Sequence, residues 1–224
     1  MERVIQLTAD GSHTIAIPAM QVTYHSMYGA IQESMHVFIE SGLKPLLHSY
    51  QTIHIFEMGF GTGLNALLSF QCAMQHDQKI YYYAVELFPL QMNEYASLNY
   101  VAQLQNDLLQ PYFIQMHESV WEKDIIIHPL FTLHKTNRSL LNLSTYQPFN
   151  LIYFDAFAPG AQRELWTQEV FEKIFCLLGE NGTLVTYCSK GDVRRAMIAA
   201  GFKVEKLPGP PGKREMIRAV KNSR

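Results

Sequence analysis

The hydrophobic positions after residue 50 form short apolar runs that alternate with stretches of helical spacing. Runs rich in β-branched and aromatic residues predict seven strands, at 52–58, 80–86, 130–135, 149–155, 183–188, 202–207 and 215–220. Apolar residues at helical spacing predict helices at 64–75, 92–109, 167–178 and 192–200, and a helix-like segment at 138–143. This alternation predicts right-handed βαβ units and a mostly parallel, seven-stranded sheet of the α/β class.

The two ends of the chain depart from this alternation. A loop at 208–214 separates the last two strands and is too short for a helical crossover, so we expect an antiparallel hairpin there. Residues 1–50 contain short β-like pieces followed by a helix at 32–40. We therefore predict a small N-terminal extension or lid over 1–50 and one domain over 51–224.

Composition narrows the class of protein. The 224 residues are 48% hydrophobic and 17% charged, as expected of one globular domain with an ordinary core. The three cysteines lack the spacing of a metal site or a disulfide framework, and the opening segment lacks the apolar stretch of a signal peptide. No apolar run approaches the roughly 20 residues that a membrane-spanning helix needs. These features predict a cytoplasmic protein with no metal site and no membrane anchor.

Charge is distributed unevenly along the chain, although the net charge is only −2. Residues 1–189 contain eight Lys and Arg against 17 Asp and Glu, whereas 190–224 contain ten against three. A basic end on an acidic body can form a surface for an anionic partner such as nucleic acid. It can also be a solvated tail, and charge alone leaves both interpretations open.

The most informative segment is Glu57-Met-Gly59-Phe-Gly61-Thr-Gly63-Leu-Asn65, between a predicted strand and a predicted helix. Glycine lets the backbone approach a bound nucleotide where a Cβ would intrude. A dinucleotide fingerprint would need glycine at position 64, which is Leu64, and this disfavours a flavin or nicotinamide oxidoreductase. An acid two positions before the first glycine is typical of sites for S-adenosyl-L-methionine (SAM), whose amino-acid end is cationic. A glycine-rich structural turn is the competing interpretation.

Two further carboxylates end predicted strands. Glu86 ends the strand after the glycine turn, and its two oxygens suit the two ribose hydroxyls of an adenosine. Asp155 ends the strand at 149–155. Because ligands of open parallel sheets bind outside the carboxyl ends of the strands, Asp155 and the glycine turn should face one crevice. Asp155 is there the candidate group for orienting a nucleophilic amine.

Four blocks of sequence occur together in an informative order. They are Glu57–Asn65; Tyr153-Phe-Asp155-Ala-Phe157-Ala-Pro159 with Glu164-Leu-Trp166-Thr167; Thr186-Tyr-Cys-Ser-Lys190-Gly191 with Val193-Arg194-Arg195; and Pro211-Gly212-Lys213-Arg214-Glu215-Met216. With the opening segment Tyr24-His25-Ser26 and Glu33-Ser34, they resemble the MnmC-like (MnmD-type) methyltransferase family, which modifies the wobble uridine of tRNA. The resemblance spans roughly residues 20–218.

The resemblance implies a class I, Rossmann-like fold and a SAM-dependent reaction. The expected substrate is the primary amine of 5-aminomethyluridine, or of its 2-thio form, at the wobble position in the anticodon arm of tRNA. Some members of the family are fused to an FAD-dependent oxidase that removes a carboxymethyl group. We expect this chain to be the stand-alone methyltransferase, with a separate FAD-dependent or other enzyme supplying its precursor.

The residue chemistry and the resemblance together give the candidate site. Asp155 is the catalytic candidate, because the amine must attack as a neutral lone pair and a carboxylate can take its proton. The cofactor candidates are Glu57, Gly59, Gly61, Gly63, Asn65 and Glu86, with Thr136 and Asn137 for the adenine. The substrate candidates are Tyr24, Ser26, Glu33, Pro159, Trp166, Lys190, Arg194, Arg195, Lys213 and Arg214.

Two other classes of function stay open at this point. An aminopropyltransferase of the spermidine synthase kind also places acids over an amine, but a small-molecule site has no need of the basic block at 211–215. A non-enzymatic module that binds SAM or RNA is the second alternative. A module that had lost enzymatic activity would not need its site residues, so the intact glycine turn, Glu86 and Asp155 count against this alternative.

Overall fold

The N-terminal fifty residues form a small sheet and a helix that lie against the main sheet. The structure, a computed structural model, describes residues 2–143 and 148–222. Strands β1 (Val4–Leu7), β2 (His13–Ile17) and β3 (Val22–Thr23) pair antiparallel in that order. Helix α1 (Ala30–Ser34) continues as a wider π-helical stretch, Met35–Leu43, so the helix predicted at 32–40 is confirmed and extended at both ends.

The main sheet has eight strands in the described part of the chain. They are β4 (Thr52–Met58), β5 (Lys79–Val85), β6 (Asp124–His128), β7 (Phe131–Thr136), β8 (Phe149–Phe154), β9 (Leu178–Thr186), β10 (Lys203–Pro208) and β11 (Glu215–Val220). Their order across the sheet is β10-β11-β9-β8-β4-β5-β7-β6. The five central strands, from β9 to β7, are parallel, and both edges are antiparallel. The α/β fold and the C-terminal hairpin β10–β11 are thus confirmed.

The helices after residue 50 fill the connections between these strands. They are α2 (Leu64–His76), α3 (Met92–Tyr95), α4 (Tyr100–Gln103), α5 (Gln110–Glu118), α6 (Gln168–Leu177) and α7 (Gly191–Ala199). Helix α6 begins where predicted, because the Thr167 side chain accepts a hydrogen bond from the backbone N–H of Val170. Short 3₁₀ turns occur at Leu140–Asn142 and Arg163–Trp166.

Side chains of the central strands are buried on both faces of the sheet. Along β8, Leu151 and Tyr153 belong to the core that includes α1 and α2, whereas Ile152 and Phe154 belong to the core that includes α6 and α7. Alternate residues of a strand point to opposite faces, so one strand serves both cores. Each large apolar side chain buried in this way contributes roughly 1.5–3 kcal/mol.

The structure differs from the sequence prediction mainly between residues 92 and 136. The helix predicted at 92–109 is two short helices and a 3₁₀ turn at Asp107–Leu109. Pro111, expected to end a helix, lies in the first turn of α5, where the missing N–H leaves no hydrogen bond unmade. Strand β6 was not predicted and makes eight strands where seven were expected; it is an edge strand, and its Ile126 is 71% exposed.

A smaller difference concerns β9, which was predicted to begin at Thr183 after glycines that stop helix α6. The strand begins at Leu178 and runs through Gly179 and Gly182, with an irregularity in its pairing to β8. In the described part of the chain, every helix is too short or too polar to cross a lipid bilayer.

Candidate active site

One cavity of about 430 Å³ opens where the strands β4, β5 and β8 end. Its walls are the glycine turn after β4, the loops after β5 and β8, and the N-terminal extension. A volume in the range of roughly 300–1,000 Å³ is usual for small-molecule sites. The position is the one predicted, because open parallel sheets bind ligands beyond the carboxyl ends of their strands.

The glycine turn brings bare backbone to the cavity. Gly59 and Gly61 line it with φ values of 92° and 51°, a left-handed region that favours glycine. A Cβ at Gly59 would lie 3.0 Å from the carbonyl oxygen of Asp155, and one at Gly61 would lie 3.1 Å from the ring of Tyr24. Gly63 instead faces α5, where a Cβ would lie 2.9 Å from Nε2 of His117, so it serves the packing of α2.

Glu86 follows β5 and lines the cavity beside the glycine turn. Its Oε2 accepts a hydrogen bond from the backbone N–H of Gly61 at 2.9 Å, and its Oε1 accepts one from Phe88 at 2.7 Å. These two bonds fix the carboxylate against the turn. Each carboxylate oxygen has a second lone pair, so Glu86 can still accept two more donors.

Two carboxylates meet behind the turn, bridged by one amide. Asn65, in the first turn of α2, donates through Nδ2 to Oε1 of Glu57 at 3.0 Å and to Oδ2 of Asp155 at 2.8 Å. Glu57 is fully buried, and its other oxygen and Oδ1 of Asn65 are buried without a hydrogen-bond partner among the described residues. Asp155 lines the cavity.

These surroundings raise the pKa values of both carboxyl groups. Burial raises the pKa of Glu57 well above its usual range, and the charge of Asp155 raises it further. Burial and the charge of Glu33 raise the pKa of Asp155 well above its usual range, against the opposing effects of the Asn65 hydrogen bond and the Lys213 charge. A carboxylate with a raised pKa that lines a cavity can act as a base near neutral pH.

The N-terminal extension and the C-terminal hairpin meet beside Asp155. Lys213 forms an ion pair with Glu33, whose side chain is only 8% exposed. The other Glu33 oxygen accepts the backbone N–H of Ser26 at 2.8 Å. The Lys213 ammonium lies 4.1 Å from the centre of the Tyr187 ring, and the Tyr187 hydroxyl donates to the carbonyl of Ala156 at 2.8 Å. Lys213 is therefore engaged within the protein.

The other substrate candidates fall into three groups. Tyr24 lines the cavity with its ring 5.0 Å from that of Phe157, and burial raises its pKa to about 12. Trp166 is buried and donates to the carbonyl of Phe157 at 2.8 Å, so it holds the loop after β8, which includes Pro159, without lining the cavity. The exposed basic candidates are Lys190, Arg194 and Arg195 at the start of α7 and Arg214 in the hairpin.

Thr136 and Asn137, predicted to contact adenine, do not line the cavity. The side chain of Glu122 accepts hydrogen bonds from the Thr136 hydroxyl at 2.6 Å and from the backbone N–H of Asn137 at 3.1 Å. On this side the cavity wall is formed by Ser139 and Leu140. The strand end lies outside the cavity wall, because the chain turns back toward the cavity only three residues later.

Several cavity residues were missed. Arg3 crosses from the N-terminus to the loop after β5, where it bonds the carbonyls of Pro89 and Phe88 and pairs with Glu94 at 3.0 Å. Leu87 and Phe88 also line the cavity, and their place directly after the strand of Glu86 was a usable signal. Nothing in the local sequence distinguishes Arg3.

A family model described as S-adenosyl-L-methionine-dependent methyltransferase matches residues 101–222. The chain belongs to this family. The fold, the enzyme class and the cofactor predicted from the sequence are thereby confirmed.

Relatives extend the likeness over nearly the whole chain. The "tRNA 5-methylaminomethyl-2-thiouridine biosynthesis bifunctional protein MnmC" of Ectopseudomonas mendocina is 31% identical over 216 residues, covering 87% of this chain and 31% of that protein. The protein of the same name from Pseudoalteromonas atlantica is 31% identical over 235 residues, covering 96% and 33%. The chain thus spans about a third of these relatives' length. The crystal structure of MnmC2 from Aquifex aeolicus has a TM-score of 0.80 at 22% identity, covering 100% of this chain and 72% of that one, and shows the same fold.

The cavity residues fit SAM. Gly59 and Gly61 present backbone where a Cβ would collide, and the Glu86 carboxylate keeps free acceptor capacity for hydroxyl donors. Asn65 lines the cavity, and its unpartnered Oδ1 supplies an acceptor there for a cationic amino-acid end.

We predict that replacing Glu57 by Gln changes how stability depends on pH. Because the folded state raises the pKa of Glu57, its contribution is fully present below about 4.5 and is lost as the pH rises through the folded value. Glu57→Gln removes this loss, so it gains stability relative to the wild type as the pH rises above about 4.5. Urea denaturation at several pH values measures the difference, with the exposed Glu180→Gln as control; parallel curves for wild type and Glu57→Gln would contradict the assignment.

Proposed function

We propose that the protein transfers a methyl group from SAM to the primary amine of 5-aminomethyluridine, or its 2-thio form, at the wobble position of tRNA. The product is the corresponding 5-methylaminomethyl nucleoside. The observation that carries the proposal is the place of Asp155, which lines the cavity beside the glycine turn and is bridged by Asn65 to Glu57. The names of the MnmC relatives support the same substrate, and the family match supports methyl transfer over aminopropyl transfer.

The cofactor contacts follow from the cavity walls. We assign the ribose hydroxyls to Glu86, the close backbone contacts to Gly59 and Gly61, and the adenine to Ser139 and Leu140. Glu57 acts through Asn65, which orients the turn and Asp155 together. SAM supplies a methyl group from a sulfonium sulfur, which keeps the electron pair of the broken bond.

Asp155 has the part of the base. The attacking nitrogen needs a free lone pair, and a primary alkylamine is mostly protonated at neutral pH. A carboxylate oxygen of Asp155 accepts an N–H hydrogen bond, aims the lone pair and takes the proton. The raised pKa of Asp155 makes it a stronger base than an ordinary aspartate, so proton transfer is better matched to neutral pH.

The exposed basic residues form the surface assigned to the anticodon arm of tRNA. Helix α7 follows the carboxyl end of β9, at the edge of the sheet where the cavity opens, and begins with Lys190, Arg194 and Arg195. Arg214 lies in the hairpin. Phosphate contacts by such residues set affinity and orientation without reading sequence. A tRNA substrate implies a cytoplasmic site of action, and the aminomethyl group implies a preceding FAD-dependent or other enzyme that supplies it.

Glu86→Ala is expected to weaken SAM binding at least tenfold, because the ribose hydroxyls lose their acceptor. Isothermal titration calorimetry measures the affinity, and circular dichroism checks that the fold is kept. Glu169→Ala is a matched control, since Glu169 is exposed and does not line the cavity. Unchanged SAM affinity in Glu86→Ala would refute the ribose assignment.

Asp155→Asn is expected to slow methylation by roughly 10²–10⁴ while leaving SAM affinity within a few-fold. The assay is single-turnover methylation of tRNA carrying 5-aminomethyl-2-thiouridine, followed by mass spectrometry of the nucleosides. The exposed Asp107→Asn serves as control. Wild-type protein that leaves this tRNA unmethylated would overturn the proposed function, whereas an Asp155→Asn enzyme of normal rate would overturn only the role of Asp155.

The double variant Arg194→Ala/Arg195→Ala is expected to weaken tRNA binding and to lower the salt dependence of log K by about 1–2 units. SAM binding should not change. Lys44→Ala/Lys79→Ala removes the same charge near the amino ends of β4 and β5, away from the cavity, and is expected to bind tRNA normally. Equal salt slopes for both double variants would exclude α7 from the tRNA surface.

A further inference from the structure

The contact between Glu33 and Lys213 is unusual for a pair that joins two exposed segments. Glu33 belongs to α1 and its side chain is 8% exposed, while Lys213 lies in the tip of the β10–β11 hairpin with a side chain 31% exposed. The exposed ion pair of the same hairpin, Lys206 with Glu215, has side chains 43% and 31% exposed. A pair that is mostly shielded from water interacts more strongly than a surface pair.

The Lys213 ammonium is held from two sides. It forms an ion pair with the Glu33 carboxylate, and it lies 4.1 Å from the centre of the Tyr187 ring. The Tyr187 hydroxyl donates to Ala156, the residue directly after Asp155. These contacts join the hairpin, α1 and the loop after β8 beside Asp155.

Titratable groups from five elements surround Asp155. The charges of Glu33 on α1 and Lys213 in the hairpin act on Asp155. The charge of Asp155 in turn raises the pKa values of Glu57 on β4, Tyr82 on β5 and Tyr187 after β9. Within this set Lys213 supplies the positive charge. Without it, Asp155 would face two carboxyl groups and two phenols in a poorly hydrated place, which favours its protonated form.

We propose that Lys213 is a positioning residue for the methylation: its ammonium, held between Glu33 and the face of Tyr187, offsets part of the negative charge around Asp155 and so favours the carboxylate that takes the proton of the amine. Glu33 has the opposite electrostatic effect on Asp155, and the Tyr187 ring holds the Lys213 ammonium from a second side. The proposal rests on the proposed function, since it assigns a second role at the same site. It also replaces the expectation that Lys213 contacts phosphate.

Substitutions of Lys213 and of Glu33 should shift the ionisation of Asp155 in opposite directions along the pH scale. Lys213→Met removes the positive charge, so Asp155 should ionise at higher pH and the acid limb of the rate profile should move to higher pH. Glu33→Gln removes a negative charge and keeps an acceptor for the backbone N–H of Ser26. In this variant the ionisation of Asp155 and the acid limb of the rate profile should both move to lower pH. Lys213→Arg keeps the charge and should stay near the wild-type profile. General loosening of the site would lower the rate without shifts of opposite sign.

The test measures Asp155 directly as well as activity. Aspartate labelled with ¹³C at Cγ gives six carboxyl signals from this chain, and Asp155→Asn identifies the one from Asp155. NMR titrations of wild type, Lys213→Met, Lys213→Arg and Glu33→Gln are compared with single-turnover rates from pH 5 to 9. Lys206→Met is the matched control and should change neither measurement. SAM affinity, measured by calorimetry, should stay within a few-fold throughout.

Opposite shifts for Lys213→Met and Glu33→Gln, with Lys213→Arg close to wild type, support the proposal. Unchanged Asp155 titration in Lys213→Met, or shifts of the same sign in both variants, overturn it. The NMR titration needs no tRNA. If the wild-type protein fails to methylate tRNA, the proposed function is refuted. The NMR titration still decides whether Lys213 acts on Asp155.

Discussion

The structure depends on placing two carboxylates next to each other in a poorly hydrated position. Glu57 and Asp155 come from neighbouring strands, and the amide of Asn65 donates to both. A buried carboxylate without such a donor is strongly disfavoured, so the first turn of α2 has to approach the ends of β4 and β8 closely. That approach in turn requires the tight turn through Gly59 and Gly61. The cofactor cavity is the space that this arrangement leaves open.

Much of the central fold could be predicted because its strands are buried on both faces. Thr52–Met58 and Glu215–Val220 match the predicted ranges, since continuous apolar runs bounded by turn residues leave little freedom. The edge strand β6 escaped prediction because one face meets solvent and its pattern is short. The segment after β5 escaped because α3 and α4 are each a single turn, defined by tertiary contacts more than by helical spacing.

The candidate site divides in the same way. Glu86 and Asp155 could be placed because a residue at a strand end has a position fixed by the sheet. Thr136 also ends a strand, but its hydroxyl donates to Glu122 from the turn before β6, and it does not line the cavity. The contacts of Arg3 with the loop at 88–89 and of Lys213 with Glu33 join residues more than 80 positions apart, and no local pattern encodes them.

The pair of Glu33 and Lys213 joins residues 180 positions apart, so the two ends of the chain close around a centre built from the middle. During synthesis on a ribosome, β4, α2 and β5 emerge long before the hairpin that carries Lys213. Contacts of such large sequence separation form late, because the chain between them must first be ordered. The nascent chain therefore forms the turn through Gly59 and Gly61 early and the contact between Glu33 and Lys213 last. A chain that still lacks the hairpin lacks this ion pair, so the surroundings of Asp155 are complete only when translation is nearly finished.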